Sequence, residues 1–371
     1  MWREPFSAAR RVLAVRLDNI GDVVMLGPAL RAVKAAGAAH LTLLCSPAGA
    51  QAAPLLPWVD DVLVARVSWQ DVSGRLADDA SGDKRLIRHV SAGRYDAAIV
   101  FTSFSQSPLP PAYACYLAGI PVRAAHSREF AGAVVTHPVT PPADETHQVE
   151  RNLDLLRGLG LAAPSRPLEV RVPPEARRRA RALLDERGIG GGFVAAAPGA
   201  GCSARRYPAT SFAEAVRLIA AGGRGVAVVG SERESELVGK VAGATPGAAP
   251  VAGETGVPEL AALLAEASAV VANDSAALHL ADAVGTPVVA VFSGTDLPGQ
   301  WAPRSVPSAV LTRETACSPC YAYECPRDKA CLAIPPAEVA EEAARLAAAG
   351  EARGRATGRA PREDAAAATT V

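Results

Sequence analysis

The 371-residue sequence has no long apolar run and no excess of charge of either sign. Residues 1–9 lack the apolar stretch of a signal peptide, and no later segment approaches the roughly 18 consecutive apolar residues of a membrane-spanning helix. Lysine plus arginine and aspartate plus glutamate number 38 each, which argues against a nucleic-acid partner. We therefore expect a cytoplasmic protein in which a local cluster of cations binds any anionic ligand.

Cysteine is also scarce, and four of the seven cysteines lie in one short segment, at Cys317, Cys320, Cys325 and Cys331. This distribution fits a reducing compartment better than a disulfide framework. Cys317 and Cys320 have the spacing that reaches a single metal ion, whereas five residues separate the second pair. The segment is therefore either a tetrahedral thiolate site for zinc or iron or a metal-free loop.

Short apolar segments rich in β-branched residues alternate with helical patterns along most of the chain. Strands are predicted at residues 11–17, 41–45, 61–67, 95–102, 122–125, 193–197, 225–229, 269–272 and 287–292. Helices are predicted at residues 28–36, 110–117, 145–159, 175–187, 211–221, 232–241, 260–267 and 276–283. Such alternation is typical of α/β proteins with mainly parallel sheets covered by helices on both faces.

The alternation pauses once, at the proline-rich residues 162–174, and a domain boundary is predicted there. We therefore predict two Rossmann-like doubly wound domains, residues 1–173 and 174–334, that face each other across a cleft at the carboxyl ends of their strands. A helix of alanine and glutamate is predicted at residues 335–349. The low-complexity tail, residues 350–371, is predicted to be disordered.

Residues 269–279 combine a buried strand, a polar turn and the start of a helix. Any of the turn residues Asn273, Asp274 and Ser275 can cap that helix, whose free N–H groups suit a phosphate or diphosphate. His279 lies one turn beyond Ser275 on the same face of the helix. The turn is therefore either a diphosphate site or a plain helix cap followed by a packed core histidine.

A Gly-Asp pair, Gly21 and Asp22, follows the first predicted strand. The glycine permits a tight turn, and the carboxylate would then face the cleft at the start of the next helix. A carboxylate in that position can accept a proton from a bound hydroxyl group. The alternative is that Asp22 only caps the helix.

A loop of small residues follows the strand that opens the second predicted domain, and it contains Gly199 and Gly201. Its glycine pattern nominally matches that of dinucleotide folds, but Pro208 interrupts the segment where the long helix should run. The loop is better interpreted as one that lets a diphosphate approach the backbone, with Arg205 or Arg206 opposite its charge. The alternative is a solvated arginine pair.

Two acidic residues, Glu232 and Glu234, follow the next predicted strand. Either carboxylate could accept hydrogen bonds from the hydroxyl groups of a ribose. The alternative is a favourable interaction with the dipole at a helix start, where acidic residues are common.

Taken together, these motifs resemble those of glycosyltransferase family 9, the ADP-heptose:lipopolysaccharide heptosyltransferases. The resemblance rests on Asn-Ile-Gly-Asp at 19–22, Pro-Gly-Ala through Arg-Arg-Tyr-Pro at 198–208, and Asn-Asp-Ser-Ala-Ala-Leu-His-Leu at 273–280. Residues 150–156 and 317–320 also resemble segments of family members, and the likeness covers about residues 11–348. It implies a GT-B architecture in which the first domain binds the acceptor and the second binds the nucleotide sugar.

The resemblance also implies a role for each motif. Asp22 corresponds to the catalytic base, Arg205 to the residue that binds the donor diphosphate, and Glu234 to the ribose ligand. The other residues expected to bind the donor are Asp274, Ser275, Ala276, His279, Gly199 and Gly201. Arginine replaces the usual lysine at 205 and alanine the usual glycine at 276, which bears on donor identity more than on donor binding.

The implied reaction is the metal-independent, inverting transfer of heptose from ADP-heptose to an acceptor of the lipopolysaccharide core type. No catalytic cofactor is expected, and no Asp-x-Asp pair lies near the donor loop. The acceptor would be a glycolipid at the cytoplasmic face of the inner membrane, and candidates to meet its anionic groups are Arg66, Arg85, Arg88, Arg123 and Arg128. Alternatives are another sugar, another glycan or protein acceptor, a GT-B-fold nucleotide-sugar epimerase, and a non-catalytic sugar-nucleotide binder.

Overall fold

The computed structural model describes residues 8–70 and 79–356, with side chains described as far as residue 351. The first half of the chain forms a six-stranded parallel sheet. Its strands are β1 (Arg11–Arg16), β2 (His40–Cys45), β3 (Asp61–Val64), β4 (Ala97–Val100), β5 (Val122–His126) and β6 (His137–Val139). They lie in the order β3-β2-β1-β4-β5-β6, which is the doubly wound order of dinucleotide-binding domains.

The second half of the chain forms another six-stranded parallel sheet. Its strands are β7 (Val194–Ala197), β8 (Val226–Gly230), β9 (Ala248–Ala252), β10 (Ala269–Asn273), β11 (Val288–Val291) and β12 (Ser308–Leu311). The order β12-β11-β10-β7-β8-β9 repeats the order of the first sheet when each sheet is numbered from its own first strand. In each sheet the strand order therefore reverses beside the first strand, where such folds bind their ligands.

Helices cover both sheets. Those of the first half are α1 (Ile20–Val24), α2 (Gly27–Ala35), α3 (Ser81–Ala92), α4 (Leu109–Leu117) and α5 (Gln148–Gly158). Those of the second half are α6 (Pro174–Glu186), α7 (Ala209–Ala221), α8 (Ser235–Gly243), α9 (Val257–Glu266), α10 (Ala276–Val284), α11 (Pro298–Trp301) and α12 (Pro336–Ala356). Within the described part of the chain, no helix is both long enough and apolar enough to cross a bilayer.

A shared apolar core joins the two sheets. Because successive side chains of a strand point to opposite faces, Val12 and Ala14 of β1 enter one core while Leu13 and Val15 enter another. The core that contains Val12 also contains Ala195 of β7, in the second sheet. Burial on both faces explains why β1 reads as an unbroken apolar run, and the common core packs the two halves directly against each other.

Three strands are not predicted from the sequence, namely β6, β9 and β12. Each lies at the edge of its sheet and pairs with a single neighbour. Most of their side chains are half-buried or exposed. β6 and β9 each contain a proline, and β12 has only three consecutive apolar residues, so the sequence pattern of a strand is weak in all three.

The predicted end of the last helix is wrong. α12 runs to Ala356, so residues 350–356, the start of the predicted disordered tail, are helical. Glu351 anchors this part of α12, because its Oε1 accepts hydrogen bonds from Arg224 Nη1 (2.6 Å) and from Ser268 Oγ (3.2 Å). The rest of the predicted tail, 357–371, lies outside the described residues.

Candidate functional site

Asp22 lies in the first turn of α1, shortly after the carboxyl end of β1. Its Oδ2 accepts a hydrogen bond from the backbone N–H of Asn19 (3.1 Å), so Asp22 does help to cap the helix. Its Oδ1 accepts a second hydrogen bond, from Nη2 of Arg16 (2.7 Å). The side chain is 15% exposed. The carboxylate is therefore held from two sides and still accessible to a ligand.

Arg16, the last residue of β1, is a functional candidate to which the sequence motifs assign no role. Its side chain is fully buried; Nε lies 2.9 Å from Oδ2 of Asp18, and Nη2 also donates to the hydroxyl of Ser103 (2.9 Å). Burial acts to lower the pKa of Arg16, but the charges of Asp18 and Asp22 outweigh it and raise the pKa. The guanidinium is therefore charged beside Asp22. The sequence signal was a charged residue at the end of an apolar strand.

The two domains meet where His279 of α10 packs on Gly21 of α1. A Cβ atom at position 21 would lie 2.5 Å from Cδ2 of His279, so any side chain there would displace the imidazole. His279 is buried, and burial lowers its pKa to about 4, although the charge of Asp22 acts in the opposite direction. The imidazole is therefore neutral at pH 7, and a residue of the second domain lies within electrostatic range of Asp22.

Arg205 lies between two carboxylates of the second domain. Its Nη1 is 3.3 Å from Oδ2 of Asp274, and its Nη2 donates to Oδ2 of Asp296 (2.6 Å). The hydroxyl of Thr295 donates to the same oxygen of Asp296 (2.7 Å). Asp296 belongs to no predicted motif, because it stands in a loop without a recognisable sequence pattern. Its buried side chain places a second acidic group at the predicted diphosphate residue.

Asp274 has a strongly shifted pKa. Burial raises it to about 6, because the charge of Arg205 offsets only part of the desolvation. The negative charges of Asp296 and Asp22 raise it further. Asp22 therefore acts electrostatically on both Asp274 and His279, and the predicted base and the predicted donor residues occupy one cleft.

Asn273 supports the loop that precedes Arg205, and it does not cap the helix. Its Nδ2 donates to the carbonyl of Pro198 (2.8 Å), and its Oδ1 accepts the backbone N–H of Tyr207 (3.1 Å). Arg206 also supports the loop, because its Nη2 donates to the carbonyl of Ala200 (3.2 Å). Of the two predicted arginines, only Arg205 pairs with the carboxylates of the cleft.

The start of α10 differs from a plain helix cap. Ser275 occupies the N-cap position with extended backbone, and within the described residues its side chain accepts no hydrogen bond from the first turn. Asp274 instead faces Arg205, and Ala276 is half-buried. Among the described residues no side chain therefore caps this helix start, so its backbone N–H groups can meet an anionic ligand, while His279 is buried as the alternative interpretation expects.

Glu234 lies against the loop glycines of the second domain. Its Oε2 accepts the backbone N–H (2.9 Å) and the hydroxyl (2.8 Å) of Ser231. A Cβ atom at Gly199 would lie 1.9 Å from Oε1 of Glu234, so a side chain there would displace the carboxylate of Glu234. At Gly201, no described atom lies within 4 Å of the Cβ position. The loop is thus closed by Glu234 on one side and open at Gly201.

Helix α5 of the first domain contacts loops of the second. His147, its N-cap, has Nε2 3.0 Å from the carbonyl of Ala302. Nη2 of Arg304 donates to Oε1 of Glu150 (2.7 Å). Burial opposes ionisation of Glu150, but hydrogen bonds from Ser165, Arg304 and Arg157 outweigh it and lower the pKa to about 2. These polar contacts fix the relative position of the two domains beside the cleft.

The cysteines of the 317–331 segment do not converge on one point. Among the described residues, all seven cysteines are free thiols, and no group of three or more His, Cys, Asp or Glu side chains is arranged to hold a metal ion. The thiols as placed here do not fit a tetrahedral site, and the metal site remains a prediction.

Arg123 is not available to an acceptor as the sequence suggests. It is buried, and its guanidinium donates to the backbone carbonyls of Pro121 (3.2 Å) and Val134 (2.8 Å). Its charge therefore stabilises a loop of the first domain.

We expect two cleft variants to change the pH dependence of stability in opposite directions. The pKa of Asp274 is raised from 3.8 to about 6 in the folded protein. This shift contributes stability that is fully present below pH 3.8 and is lost as the pH rises through 6. The pKa of His279 is lowered from 6.5 to about 4 in the folded protein. This shift contributes stability that is fully present above pH 6.5 and is lost as the pH falls through 4. In the wild type the two contributions oppose each other.

Relative to the wild type, the unfolding free energy of Asp274→Asn should therefore rise between pH 4 and 6, and that of His279→Gln should fall, each by up to roughly 3 kcal/mol. Urea unfolding at intervals of half a pH unit measures both differences, and comparison with the wild type cancels the other titrating groups. A difference independent of pH in both variants would contradict these assignments.

Comparison with known proteins places the chain among sugar transferases. It is 31% identical over 159 residues to lipopolysaccharide heptosyltransferase 3 of Escherichia coli, a match that covers 42% of this chain and 47% of that protein. The chain thus spans about half the length of this curated relative.

Two solved structures share the fold. The glycosyl transferase family 9 protein of Veillonella parvula DSM 2008 superposes with a TM-score of 0.76 at 19% identity, covering 92% of this chain and 97% of that one. The ADP-heptose lipopolysaccharide heptosyltransferase II of E. coli superposes with a TM-score of 0.73 at 20% identity, covering 92% and 99%. The predicted GT-B architecture of two Rossmann-like domains is confirmed. The model of glycosyltransferase family 9 (heptosyltransferase) matches residues 84–331, and the chain belongs to this family.

Proposed function

We propose that the protein is an inverting glycosyltransferase that transfers heptose from ADP-heptose to an acceptor of the lipopolysaccharide core type. The observation that carries the proposal is the contact of His279 with Gly21, which sets Asp22 of one domain opposite the charged cluster of the other. Family membership and the name of the E. coli relative support heptose as the transferred sugar.

Asp22 acts as the general base in this proposal. The acceptor hydroxyl attacks the anomeric carbon of the donor, its proton passes to Asp22, and the bond from that carbon to the diphosphate oxygen breaks. The bonding electrons leave with ADP. Because the hydroxyl attacks from the side opposite the departing diphosphate in a single displacement, the configuration at the anomeric carbon inverts. Arg16 positions the carboxylate, because the hydrogen bond from its Nη2 fixes one oxygen of Asp22.

Arg205 and the start of α10 stabilise the charge that develops on the leaving ADP. Backbone N–H groups at a helix start and a guanidinium both bind diphosphate oxygens well. The diphosphate has to compete with Asp274 and Asp296 for Arg205. Protonation of Asp274, whose pKa is about 6, removes part of the repulsion between that carboxylate and the incoming diphosphate. Glu234, beside Gly199, binds the ribose.

We also propose that the acceptor is reached at a membrane surface, through an aromatic patch on the first domain. The patch consists of Tyr113, Tyr116, Leu117 and Phe130, which are 50%, 45%, 49% and 97% exposed. Arg123 connects its two parts, since the guanidinium lies 5.2 Å from the ring centre of Tyr116 and bonds to the carbonyl of Val134, in the loop that carries Phe130. Tyrosine and phenylalanine are favoured at the boundary between lipid and water.

The neighbouring helix adds positive charge to this surface. The inner faces of α3, α4 and the loop after β5 pack against one apolar core, so their outer faces are contiguous. α4 has no charged residue, whereas α3 exposes Lys84, Arg85 and Arg88. Exposed aromatic rings beside a group of cations fit an anionic phospholipid surface. Phe130 follows β5 at the edge of the sheet where Asp22 follows β1, so an acceptor held in lipid would lie near the cleft.

We expect Asp22→Asn to lower kcat by roughly 10²- to 10⁴-fold, because the amide cannot accept the proton. Binding of ADP should stay within about twofold of wild type, because the donor residues lie in the other domain. The assay is ADP release from ADP-heptose with and without a core oligosaccharide. Asp96→Asn is the matched control, since Asp96 accepts the backbone N–H groups of Arg10 and Arg11 at the opposite end of the same strand. Wild-type turnover by Asp22→Asn would remove Asp22 from the mechanism, and sugar release without acceptor would favour an epimerase.

Arg16→Lys should lower kcat by about tenfold or more and leave the donor KM unchanged. A lysine keeps the charge but cannot contact Asp18, Asp22 and Ser103 together as the guanidinium does. Arg11→Lys, at the exposed start of β1, is the control. An unchanged kcat in Arg16→Lys would show that Arg16 serves the fold alone.

Replacing Tyr116 and Phe130 together by serine should reduce binding to vesicles that contain anionic phospholipid by about tenfold, because two exposed rings no longer enter the interface. Flotation of the full chain with anionic and with neutral vesicles measures the bound fraction. Tyr323→Ser, which removes a ring that is 72% exposed outside the patch, should bind as the wild type does. Equal binding by the double variant, or none by the wild type, would refute the lipid surface.

A further inference from the structure

The cysteine segment, residues 317–331, is attached to the two loops that hold the charged cluster of the second domain. On one side, the N–H groups of Cys320 and Tyr321 donate to the carbonyls of Gly294 (2.9 Å) and Thr295 (2.8 Å). On the other side, the carbonyl of Tyr323 accepts the N–H of Ala204 (3.1 Å). The segment therefore bridges the loop that carries Asp296 and the loop that carries Arg205.

The attachment leaves little space between these loops. A Cβ atom at Gly294 would lie 2.8 Å from Oγ of Ser318 and 3.3 Å from Cβ of Cys331. Nζ of Lys329 also lies 3.4 Å from the carbonyl of Arg206, at the far end of the segment. Because the segment is held at several points, the position of Tyr321 within it is well defined.

Tyr321 extends from this segment to the first domain. Its ring centre lies 5.5 Å from that of Phe104, at an angle of 50°. Phe104 directly follows Ser103, whose hydroxyl accepts a hydrogen bond from Arg16, the residue that holds Asp22. The pair of rings therefore spans the cleft, with one end near the support of the proposed base and the other near the support of the diphosphate residue.

The backbone of Tyr321 is strained, and its ring is accessible. Its φ of 53° is in the left-handed region, which is unfavourable for a residue other than glycine. The bond to Thr295 fixes this conformation, and the side chain remains 49% exposed. About half of the Tyr321 surface is therefore accessible to a ligand.

The polar surroundings of Tyr321 suit a sugar. Asp296, Asp144 and Glu145 lie close enough to the hydroxyl of Tyr321 to interact with it electrostatically, and a phenol can donate a hydrogen bond. The apolar C–H face of a pyranose packs on an aromatic ring, and its hydroxyl groups bond to phenol and carboxylate oxygens. Asp144 and Glu145 belong to the first domain, on the side of the cleft opposite the donor residues.

We propose that Tyr321 and Phe104 form an aromatic wall of the cleft that contacts the acceptor sugar, with Tyr321 as a specificity-determining residue supplied by the cysteine segment. This inference rests on the proposed function, in which the first domain binds the acceptor. It gives the cysteine segment a role in acceptor recognition. A purely structural contact between the domains is the competing explanation, and the two differ in which substrate is affected.

The test compares Tyr321→Leu, Tyr321→Phe and Phe104→Leu with the control Tyr323→Leu, on the same segment. With a heptose-containing core oligosaccharide as probe, Tyr321→Leu and Phe104→Leu should raise the acceptor KM about tenfold, the effect of losing one aromatic contact. The donor KM and the melting temperature should stay close to wild type. Tyr321→Phe keeps the ring and should raise the acceptor KM by only about threefold. Tyr323→Leu should leave the acceptor KM unchanged.

An acceptor KM for Tyr321→Leu equal to that of Tyr323→Leu would overturn the inference. So would an equal rise of donor and acceptor KM, or a fall in melting temperature that accounts for the loss, since either indicates a structural contact alone. Titration calorimetry of the oligosaccharide in the presence of ADP keeps the two proposals apart. A wild type that binds the probe but does not turn over would refute the proposed function, and the variants would still test the aromatic wall by affinity.

Discussion

The contact of an imidazole with a bare α-carbon is the constraint on which the cleft depends. His279 can approach α1 because Gly21 has no side chain, and the same short helix carries Asp22 at the next position. The contact therefore sets the distance between a carboxylate of one domain and the helix start of the other. Burial keeps His279 neutral, so no uncompensated cation is buried where the domains meet.

Both walls of the cleft use the same electrostatic arrangement. In the first domain Arg16 lies between Asp22 and a second aspartate, and in the second Arg205 lies between Asp274 and Asp296. Each cluster carries one more negative than positive charge when all groups are ionised. Burial and this excess of negative charge together raise the pKa of Asp274. Protonation of Asp274 reduces the negative charge that an anionic ligand meets at the second wall.

The sequence predicts most clearly what depends on local chemistry. Strands buried on both faces are apolar runs, and residues that follow such strands meet at one edge of a parallel sheet, so Asp22 and His279 could be assigned to a common cleft. Arg16 and Asp296 could not, because their roles depend on partners distant in the sequence. The role of Tyr321 could not be predicted for the same reason, because its ring partner lies in the other domain. The sequence of its segment shows only the spacing of the cysteines as a pattern.

The apolar core shared by the two sheets has a thermodynamic consequence for motion of the domains. A wide separation would bring apolar side chains of α1 and α10, which contact each other where the domains meet, into contact with water, and hydration of such groups raises the heat capacity. The free-energy difference between the closed and the separated arrangement must then be a curved function of temperature. Rotations that slide α10 along α1 and keep this apolar contact dry would avoid the penalty.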